Sequence, residues 1–328
     1  MPKALLTGIT GQDGSYLGEL LLAKGYEVHG LVHPETTPSK TWLEDLPSEL
    51  RRAVHTYPGS LTDTEGLTRL VAQVQPDEVY NLAAQSDDQV SMREPELTAE
   101  INALGPVRLL EAIRRSGYPA RFLQASSAQL FGEALTTPQN EETPFRPQSP
   151  YGYAKAFAHW MTIHYRKHHG FFAVNAILYN HESPRRTEAF VTRKITRAVA
   201  LIKAGKLEKL TLGSLDARRD WTYAGDTVRA MWLALQADKP GDYVVGSGES
   251  HTVREFVEEA FSHAGLDWKK HVETNVSFVR KVDIAETRAD SSRAREELSW
   301  NPEVDFKGLV RMMVEADLAI EGFKTPTA

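Results

Sequence analysis

The sequence contains no cysteine among its 328 residues. This absence excludes disulfide frameworks, thiolate metal sites and cysteine nucleophiles. No apolar run approaches the ~18 residues that a membrane span requires, and the first residues lack the pattern of a signal peptide. The net charge of −6 provides no positive field for nucleic acid or an anionic membrane surface. Together these absences predict a cytoplasmic protein with no nucleic-acid partner, no membrane partner and no metal site.

The length and composition indicate a folded protein with two structural units. At ~100–200 residues per domain, a chain of 328 residues corresponds to two units or to one large α/β unit. Hydrophobic residues make up 41% of the chain and charged residues 25%, which excludes a mostly disordered protein.

Strand and helix patterns alternate from the first residue to about residue 180. Short apolar runs indicate buried strands, and segments with apolar residues at helical spacing follow them. Repeated β-α-β units predict an α/β fold, a Rossmann-type doubly wound parallel sheet with a smaller mixed α/β substrate lobe. The predicted strands are Lys3–Thr7, Tyr26–Val32, Glu78–Leu82, Arg121–Ala125 and Phe171–Leu178, and the predicted helices are Tyr16–Lys24, Thr62–Val74, Leu97–Arg115 and Tyr151–His168.

After residue 180 the pattern becomes irregular, which predicts the smaller lobe. We assign residues 1–180 to a dinucleotide-binding domain and residues 181–328 mainly to a sugar-nucleotide domain, with a segment of about 209–250 returning to the first lobe. The predicted elements are helices Val191–Lys203, Ala224–Gln236, Val253–Ala264 and Phe306–Ile320, and strands Lys209–Leu212 and Tyr243–Val245.

Glycines recur at every third position directly after the first predicted strand, at Gly8, Gly11 and Gly14. Such glycines permit a tight turn, close approach of the backbone to a pyrophosphate, and close packing of the helix on the strand. The helix N-terminus then faces the phosphates. A plain strand-to-helix turn is the alternative, but the position in the first β-α-β unit favours a dinucleotide site. The remaining residues of this predicted cofactor loop are Thr10, Gln12 and Asp13.

The end of the second predicted strand bears on the choice of cofactor. An acid there binds the ribose 2′-hydroxyl of NAD, whereas an arginine accepts the 2′-phosphate of NADP. The segment His33-Pro34-Glu35 contains one acid and no arginine, which favours NAD. An exposed loop carboxylate at Glu35 is the alternative.

Tyr151 and Lys155 stand four residues apart at a helix start, so they lie on one helical face. A lysine ammonium near a phenol favours the phenolate and lowers the phenol pKa. A phenolate can take the proton of a sugar hydroxyl while hydride leaves the same carbon for a nicotinamide. Ser127, at the end of the predicted strand Arg121–Ala125, can bind the same substrate oxygen. The pattern therefore predicts a catalytic group of Ser127, Tyr151 and Lys155.

Seven segments resemble the GDP-mannose 4,6-dehydratase family of the extended short-chain dehydrogenase/reductase superfamily. They are GITGQDGSYL, EVYNLAAQS, QASSAQLFG, SPYGYAK, NHESPRR, FVTRKITRA and RRDW. The resemblance runs from residue 1 to about residue 270 and returns near Leu298–Leu318. It implies a Rossmann lobe, a GDP-sugar lobe, NADP as the cofactor, and a hydride cycle that starts at C4 of a hexose such as GDP-mannose. In similar proteins, helices corresponding to Leu97–Arg115 and Tyr151–His168 make a dimer contact, so a homodimer or homotetramer is expected.

The resemblance also implies binding residues. For the cofactor these are Ser60, Leu61, Leu82, Ala83, Ala84, Gln85, Ser86, Lys155, His181 and Arg186. For the GDP-sugar they are Ser86, Asn180, Val191, Lys194, Arg219 and Arg280. Arginine and lysine clusters suit a diphosphate. An internal ion pair with stacking is the alternative interpretation of the RRDW segment.

The sequence departs from the family pattern at the position of the elimination base. The family's carboxylate two residues after the catalytic hydroxyl corresponds to Gln129, and a neutral amide cannot take a carbon-bound proton. We therefore expect weak or absent dehydration unless another acid, with Asp87 as the first candidate, serves as the base. Otherwise the chemistry stops at C4, as in an epimerase, a 4-dehydrogenase or a 4-ketoreductase. A non-catalytic GDP-sugar binder is a further alternative, which Ser127, Tyr151 and Lys155 disfavour.

Overall fold

A computed structural model describes residues 1–35, 48–275 and 286–323. The strands are β1 (Lys3–Thr7), β2 (Glu27–Val32), β3 (Val54–Pro58), β4 (Glu78–Asn81), β5 (Arg121–Ser127), β6 (Ala173–Leu178), β7 (Asn180–Glu182), β8 (Leu210–Leu212), β9 (Arg218–Arg219), β10 (Trp221–Tyr223), β11 (Asp242–Val245), β12 (His251–Thr252) and β13 (Val272–Thr274). The α-helices are α1 (Gln12–Ala23), α2 (Ser48–Ala53), α3 (Thr64–Val74), α4 (Asp88–Arg93), α5 (Pro95–Ala99), α6 (Gly105–Ser116), α7 (Pro150–His168), α8 (Val191–Lys203), α9 (Ala224–Gln236), α10 (Val253–His263), α11 (Ser292–Leu298) and α12 (Phe306–Ile320).

Seven strands form one sheet in the order β11-β6-β5-β4-β1-β2-β3, and every neighbouring pair is parallel. The chain runs outward from β1 through β2 to β3, and then returns to place β4 on the other side of β1. This reversal creates a crevice at the carboxyl ends of β1 and β4, where ligands of open α/β sheets bind. The prediction of a Rossmann-type doubly wound fold is confirmed.

Helices cover both faces of the sheet. Leu5 and Leu6 are neighbours in β1, yet they belong to two different hydrophobic clusters because successive side chains of a strand point to opposite faces. Helices α3, α6 and α7 contribute to the cluster around Leu5, whereas α1, α9 and α11 contribute to the cluster around Leu6. Burial on both faces explains why the strands read as continuous apolar runs.

A third cluster forms the core of a smaller lobe, in which α8, α10 and α12 surround the buried Trp221 and Phe256. Three two-stranded pairs, β7 with β10, β9 with β12 and β8 with β13, complete this part of the protein. Strand β11 instead lies at the edge of the central sheet, where it pairs with β6. Within the described residues, no helix is long and apolar enough to cross a membrane.

Three of the elements that differ from the sequence-based expectations have a local explanation. Helix α1 begins at Gln12 rather than Tyr16, because the glycine loop itself forms the first turn. Strand β3 was not predicted, because its sequence VHTYP is mostly exposed and shows no regular alternation of apolar and polar residues. The expected single helix over Leu97–Arg115 is interrupted by a π-helical turn at Glu100–Leu104. Pro106 has no amide hydrogen to donate to the carbonyl of residue 102, which favours this wider turn.

Candidate active site

The glycine loop between β1 and α1 is packed too tightly for larger residues. A Cβ atom at Gly14 would lie 2.2 Å from the Gly8 carbonyl oxygen, and a Cβ at Gly8 would lie 2.8 Å from the amide nitrogen of Ala83. Gly8 also has a φ of +73°, which favours glycine. Gly11, by contrast, has space for a Cβ, with the Gly8 carbonyl at 3.4 Å. These contacts fit a loop that brings backbone and the α1 N-terminus to a diphosphate.

The loop after β4 lies against the glycine loop. The Thr7 hydroxyl donates to the Asn81 side chain at 2.7 Å, and it accepts the amides of Leu82 and Ala83, each at 3.1 Å. The predicted cofactor residues after β4 therefore stand beside those after β1. In this loop Ser86 is exposed, and its neighbours are partly buried. The full predicted set here is Leu82, Ala83, Ala84, Gln85 and Ser86.

Asn102, which lies in the π-helical turn, fixes this loop. Its side chain accepts the Gln85 amide at 2.9 Å and donates to the Gln85 carbonyl at 2.8 Å. Asn102 is buried, so both hydrogen bonds are shielded from water. The sequence analysis missed this residue, because a single-helix assignment gave no reason to examine an interior asparagine.

Ser127, Tyr151 and Lys155 meet at the carboxyl end of β5. Ser127 is the last residue of β5, and its hydroxyl is hydrogen-bonded to the Tyr151 phenol. The Lys155 ammonium lies 5.7 Å from the centroid of the Tyr151 ring and donates to the Ala125 carbonyl at 2.8 Å. The structure therefore brings together the three side chains that the sequence groups as catalytic.

The buried Tyr151 phenol has a pKa above its ordinary value. Burial raises this pKa, whereas the Ser127 hydroxyl and the Arg186 charge oppose the rise. Burial also lowers the pKa of Lys155, to about 8. That Lys155 favours the phenolate stays a prediction.

Asp13 and His181 connect the glycine loop to β7. His181 Nε2 lies 2.8 Å from Asp13 Oδ2, and His181 Nδ1 lies 2.7 Å from the Tyr179 carbonyl. Both ring nitrogens face acceptors, which is the arrangement of a protonated imidazole. Burial opposes that charge, but Asp13 raises the pKa of His181 above its ordinary value. Gln12 donates to the His181 carbonyl at 3.1 Å, so two predicted loop residues hold this histidine.

The other predicted cofactor residues surround this crevice. Ser60 follows β3, and its hydroxyl lies 2.9 Å from that of Thr62, while the next residue, Leu61, is buried. The Arg186 guanidinium forms an ion pair with Glu182 at 3.2 Å. At the end of β2, His33 and Glu35 are exposed. Thr10 is partly buried in the glycine loop.

The predicted GDP-sugar residues come from several elements of the smaller lobe. Asn180 in β7 pairs with Trp221 of β10, which places it near Arg219 at the end of β9. Val191 begins α8, and Lys194, one turn later, donates to the Thr211 carbonyl at 2.9 Å. Arg280 lies outside the described residues.

The RRDW segment has some features of the alternative interpretation, an internal ion pair with stacking, since Arg218 lies 3.9 Å from Glu255 and Trp221 stacks on Phe306. The buried Asp220 carboxylate accepts backbone amides of Ser247, Gly248 and Ala289. Arg219 donates to the Arg218 carbonyl at 2.7 Å.

Gln129, Asp87 and Asp88 bear on the question of the elimination base. The backbone amide of Gln129 donates to the Ser127 hydroxyl oxygen at 3.2 Å, and the Gln129 side chain is partly buried. Asp87 caps α4, because its Oδ1 accepts the Gln89 amide at 2.8 Å. The sequence analysis did not consider Asp88, whose charge raises the pKa of Tyr151. The only sequence signal for Asp88 was a second acid directly after Asp87.

Known proteins resemble this chain over nearly its whole length. Residues 5–313 match the family model described as GDP-mannose 4,6 dehydratase. The chain is 49% identical to GDP-mannose 4,6 dehydratase 1 of Arabidopsis thaliana, with 97% of this chain and 90% of that protein covered. It is 44% identical to human GDP-mannose 4,6 dehydratase, with 97% and 91% covered. The solved structure of Thermus thermophilus UDP-glucose 4-epimerase in complex with NAD is 30% identical in sequence, with a TM-score of 0.82. The match covers 96% of this chain and 98% of the epimerase chain.

The parallel sheet and the glycine loop, together with the matches to GDP-mannose 4,6 dehydratases and a UDP-glucose 4-epimerase, show a nucleotide-sugar-modifying enzyme of the short-chain dehydrogenase/reductase class. The extent and identity of the matches define the family more narrowly. The chain belongs to the GDP-mannose 4,6-dehydratase family, which confirms the relationship and the enzyme class expected from the sequence.

We predict opposite consequences for alanine at two glycines of the same loop. Gly14→Ala should lower the melting temperature strongly, because its Cβ would meet backbone atoms at 2.2 and 2.6 Å. Gly11→Ala should leave the melting temperature nearly unchanged but weaken dinucleotide binding, since its methyl group would occupy space needed by a pyrophosphate. Thermal unfolding and calorimetry with NAD and NADP measure both effects. Normal dinucleotide affinity in Gly11→Ala would contradict the assignment of this loop.

Proposed function

We propose that this enzyme converts GDP-mannose into a 4-keto-6-deoxy sugar, beginning with oxidation at C4. The observation that carries this proposal is the group of Ser127, Tyr151 and Lys155 at the carboxyl end of β5. The glycine loop that could hold a dinucleotide stands beside it at the same edge of the sheet. The family membership supports GDP-mannose as the substrate.

In this proposal, Ser127 and Tyr151 contact the O4 hydroxyl of the sugar. A nicotinamide cofactor, when bound, supplies the hydride acceptor for C4 and the hydride donor for C6. The Tyr151 phenolate takes the proton of the hydroxyl, and the Ser127 hydroxyl orients that oxygen. Burial raises the phenol pKa above its ordinary value, and the charge of Arg186 opposes this rise in favour of the phenolate.

We infer that the cofactor is NAD. His33 and Glu35 are exposed at the carboxyl end of β2, where a carboxylate would accept a hydrogen bond from a ribose hydroxyl. The sequence contains no arginine between β2 and Arg51, so the arginine that would accept the 2′-phosphate of NADP is absent from this segment. Identification of the dinucleotide that remains bound after purification tests this inference.

The GDP part of the substrate is assigned to Asn180, Val191, Lys194 and Arg219, together with Arg280 outside the described residues. The basic side chains suit a diphosphate. On this basis residues 1–180 bind the dinucleotide, residues 181–328 mainly bind the GDP-sugar, and a segment of about 209–250 returns to the first lobe, as the pairing of β11 with β6 supports. The absence of cysteine supports a cytoplasmic location.

Gln129 favours a second candidate function. If no other group removes the C5 proton, the sugar can only be oxidised and reduced at C4, as in an epimerase, a 4-dehydrogenase or a 4-ketoreductase. The Gln129 amide has no basic site near neutral pH. The two functions differ in one product property, because only the dehydratase reaction removes water from the sugar.

We also propose a homodimer, on the basis of one apolar surface. Helices α5 and α7 and the π-helical turn carry large exposed apolar side chains that are unfavourable in water. These are Leu97, Leu104, Tyr153, Phe157 and Trp160. A twofold contact between copies of this surface would bury them. A homotetramer would require a further contact elsewhere.

We predict that Tyr151→Phe lowers GDP-mannose turnover by ~10²-fold or more and leaves dinucleotide affinity unchanged. The reason is that only the phenol oxygen is removed. Single-turnover absorbance of the reduced nicotinamide measures hydride transfer, and calorimetry measures binding. The matched control is Tyr153→Phe, on the exposed side of the same helix, which should retain activity. Turnover of Tyr151→Phe within a few-fold of the parent would refute the role of the phenol.

We predict that GDP-mannose and GDP bind more tightly than UDP-glucose and UDP. Calorimetry with all four compounds, at one salt concentration, measures this preference. Arg219→Ala should weaken binding of GDP-mannose and leave dinucleotide binding unchanged. A clear preference for the uridine compounds would contradict the assignment of the smaller lobe.

We predict that Trp160→Glu converts the dimer to a monomer, because a carboxylate would be buried without a partner in the contact. The side chain of Trp160 is 58% exposed in the single chain, and that of Ile320, on α12, is 63% exposed. Ile320→Glu is therefore a matched control that should remain dimeric. Sedimentation analysis measures the masses, and a parent protein that sediments as a monomer would exclude the proposed contact.

A further inference from the structure

One carboxylate beside the catalytic tyrosine lacks a hydrogen-bond partner. Asp88 is the first residue of α4, and its Oδ1 is buried without a donor among the described residues. A buried carboxylate oxygen normally accepts at least one hydrogen bond. An oxygen without such a bond retains a lone pair that can accept a proton from a ligand.

The position of Asp88 is set by the packing of α4 against α7, the helix that carries Tyr151. Asp88 and Asp13 are the two carboxylates whose charges raise the pKa of Tyr151. The Asp13 carboxylate is bound by His181 and Gln12. Of these two carboxylates, Asp88 is the one with an oxygen that has no hydrogen-bond partner among the described residues.

Its neighbour Asp87 has a different role. Asp87 Oδ1 accepts the amides of Gln89 at 2.8 Å and Val90 at 3.4 Å, so this carboxylate caps α4. The backbone around both acids is held in place, because Gln85 donates to the Asp87 carbonyl and Ser91 donates to the Asp88 carbonyl. Because this carboxylate is used as a cap, Asp87, the candidate base expected from the sequence, is the less suitable of the two acids.

We propose that Asp88 is the general base that removes the C5 proton of the 4-keto sugar, in place of the carboxylate missing at Gln129. The inference rests on the proposed dehydratase function. The Asp88 carboxylate takes the C5 proton, the C5–H electron pair forms a C5–C6 double bond, and the C6–O bond breaks. The same proton passes to the leaving hydroxide, which departs as water. The nicotinamide cofactor reduced in C4 oxidation is the hydride source for C6, and a solvent proton adds at C5.

The direct test uses the 4-keto-6-deoxy product rather than GDP-mannose. Its C5–H bond is next to the ketone, so a base in the site exchanges this hydrogen for deuterium in deuterated water without hydride transfer. The parent should exchange C5, and Asp88→Asn should exchange it ~10²-fold more slowly or not at all. Asp87→Asn is the matched control and should retain exchange, because asparagine also caps helices. The double variant Asp88→Asn/Gln129→Glu should regain exchange, since it again contains a carboxylate.

A second measurement does not depend on turnover. The charge of Asp88 raises the pKa of the Tyr151 phenol, so Asp88→Asn should lower that pKa. Ultraviolet titration of the cofactor-free protein, with the Tyr151→Phe variant subtracted, reports this phenol. An unchanged phenol pKa would show that Asp88 is not beside Tyr151 and would overturn the inference.

The outcomes separate this inference from the proposed function. Normal C5 exchange in Asp88→Asn overturns the role of Asp88 and leaves the dehydratase function intact. A parent that oxidises GDP-mannose at C4 but does not exchange C5 also overturns it, and supports the C4-only function. A parent that produces no reduced nicotinamide with GDP-mannose refutes the proposed function itself.

Discussion

A buried row of hydrogen bonds across three central strands determines the geometry of the whole site. The Thr7 hydroxyl donates to Asn81, and the Asn81 amide donates to Gln124 at 2.8 Å. All three side chains are almost completely buried, so the loss of any one would leave unsatisfied polar groups, at a cost of ~1–3 kcal/mol each. Because the row joins β1, β4 and β5, it holds the glycine loop, the loop after β4 and Ser127 at one edge of the sheet.

The second constraint joins the two lobes. Asp13 and Gln12 of the glycine loop bind His181, and the Gln12 carbonyl oxygen of the side chain accepts the Ser183 hydroxyl at 2.8 Å. These contacts place β7, with Asn180, next to the N-terminus of α1. The proposed dinucleotide and sugar-nucleotide sites are therefore adjacent. This arrangement would bring a nicotinamide close to the sugar.

The sequence correctly predicted elements in which apolar residues recur at regular helical spacing. Helices Val191–Lys203, Ala224–Gln236 and Phe306–Ile320 have the expected bounds, and Ser127, Tyr151 and Lys155 meet as expected. It did not predict β3, which is polar at a sheet edge, or the π-helical turn that positions Asn102. Asp88 could not be distinguished from Asp87 either, since only the structure shows that Asp87 caps α4 and that an Asp88 oxygen has no partner among the described residues. Such features depend on tertiary contacts that local patterns do not encode.

The central claim is that a family member with Gln129 at the position of the base still removes water from GDP-mannose. The most direct measurement is incubation of the parent enzyme with GDP-mannose in deuterated water, followed by mass spectrometry and NMR. The claim predicts a product that has lost one water and carries deuterium at C5. An oxidised or epimerised sugar that retains its C6 hydroxyl and has no deuterium at C5 would contradict it.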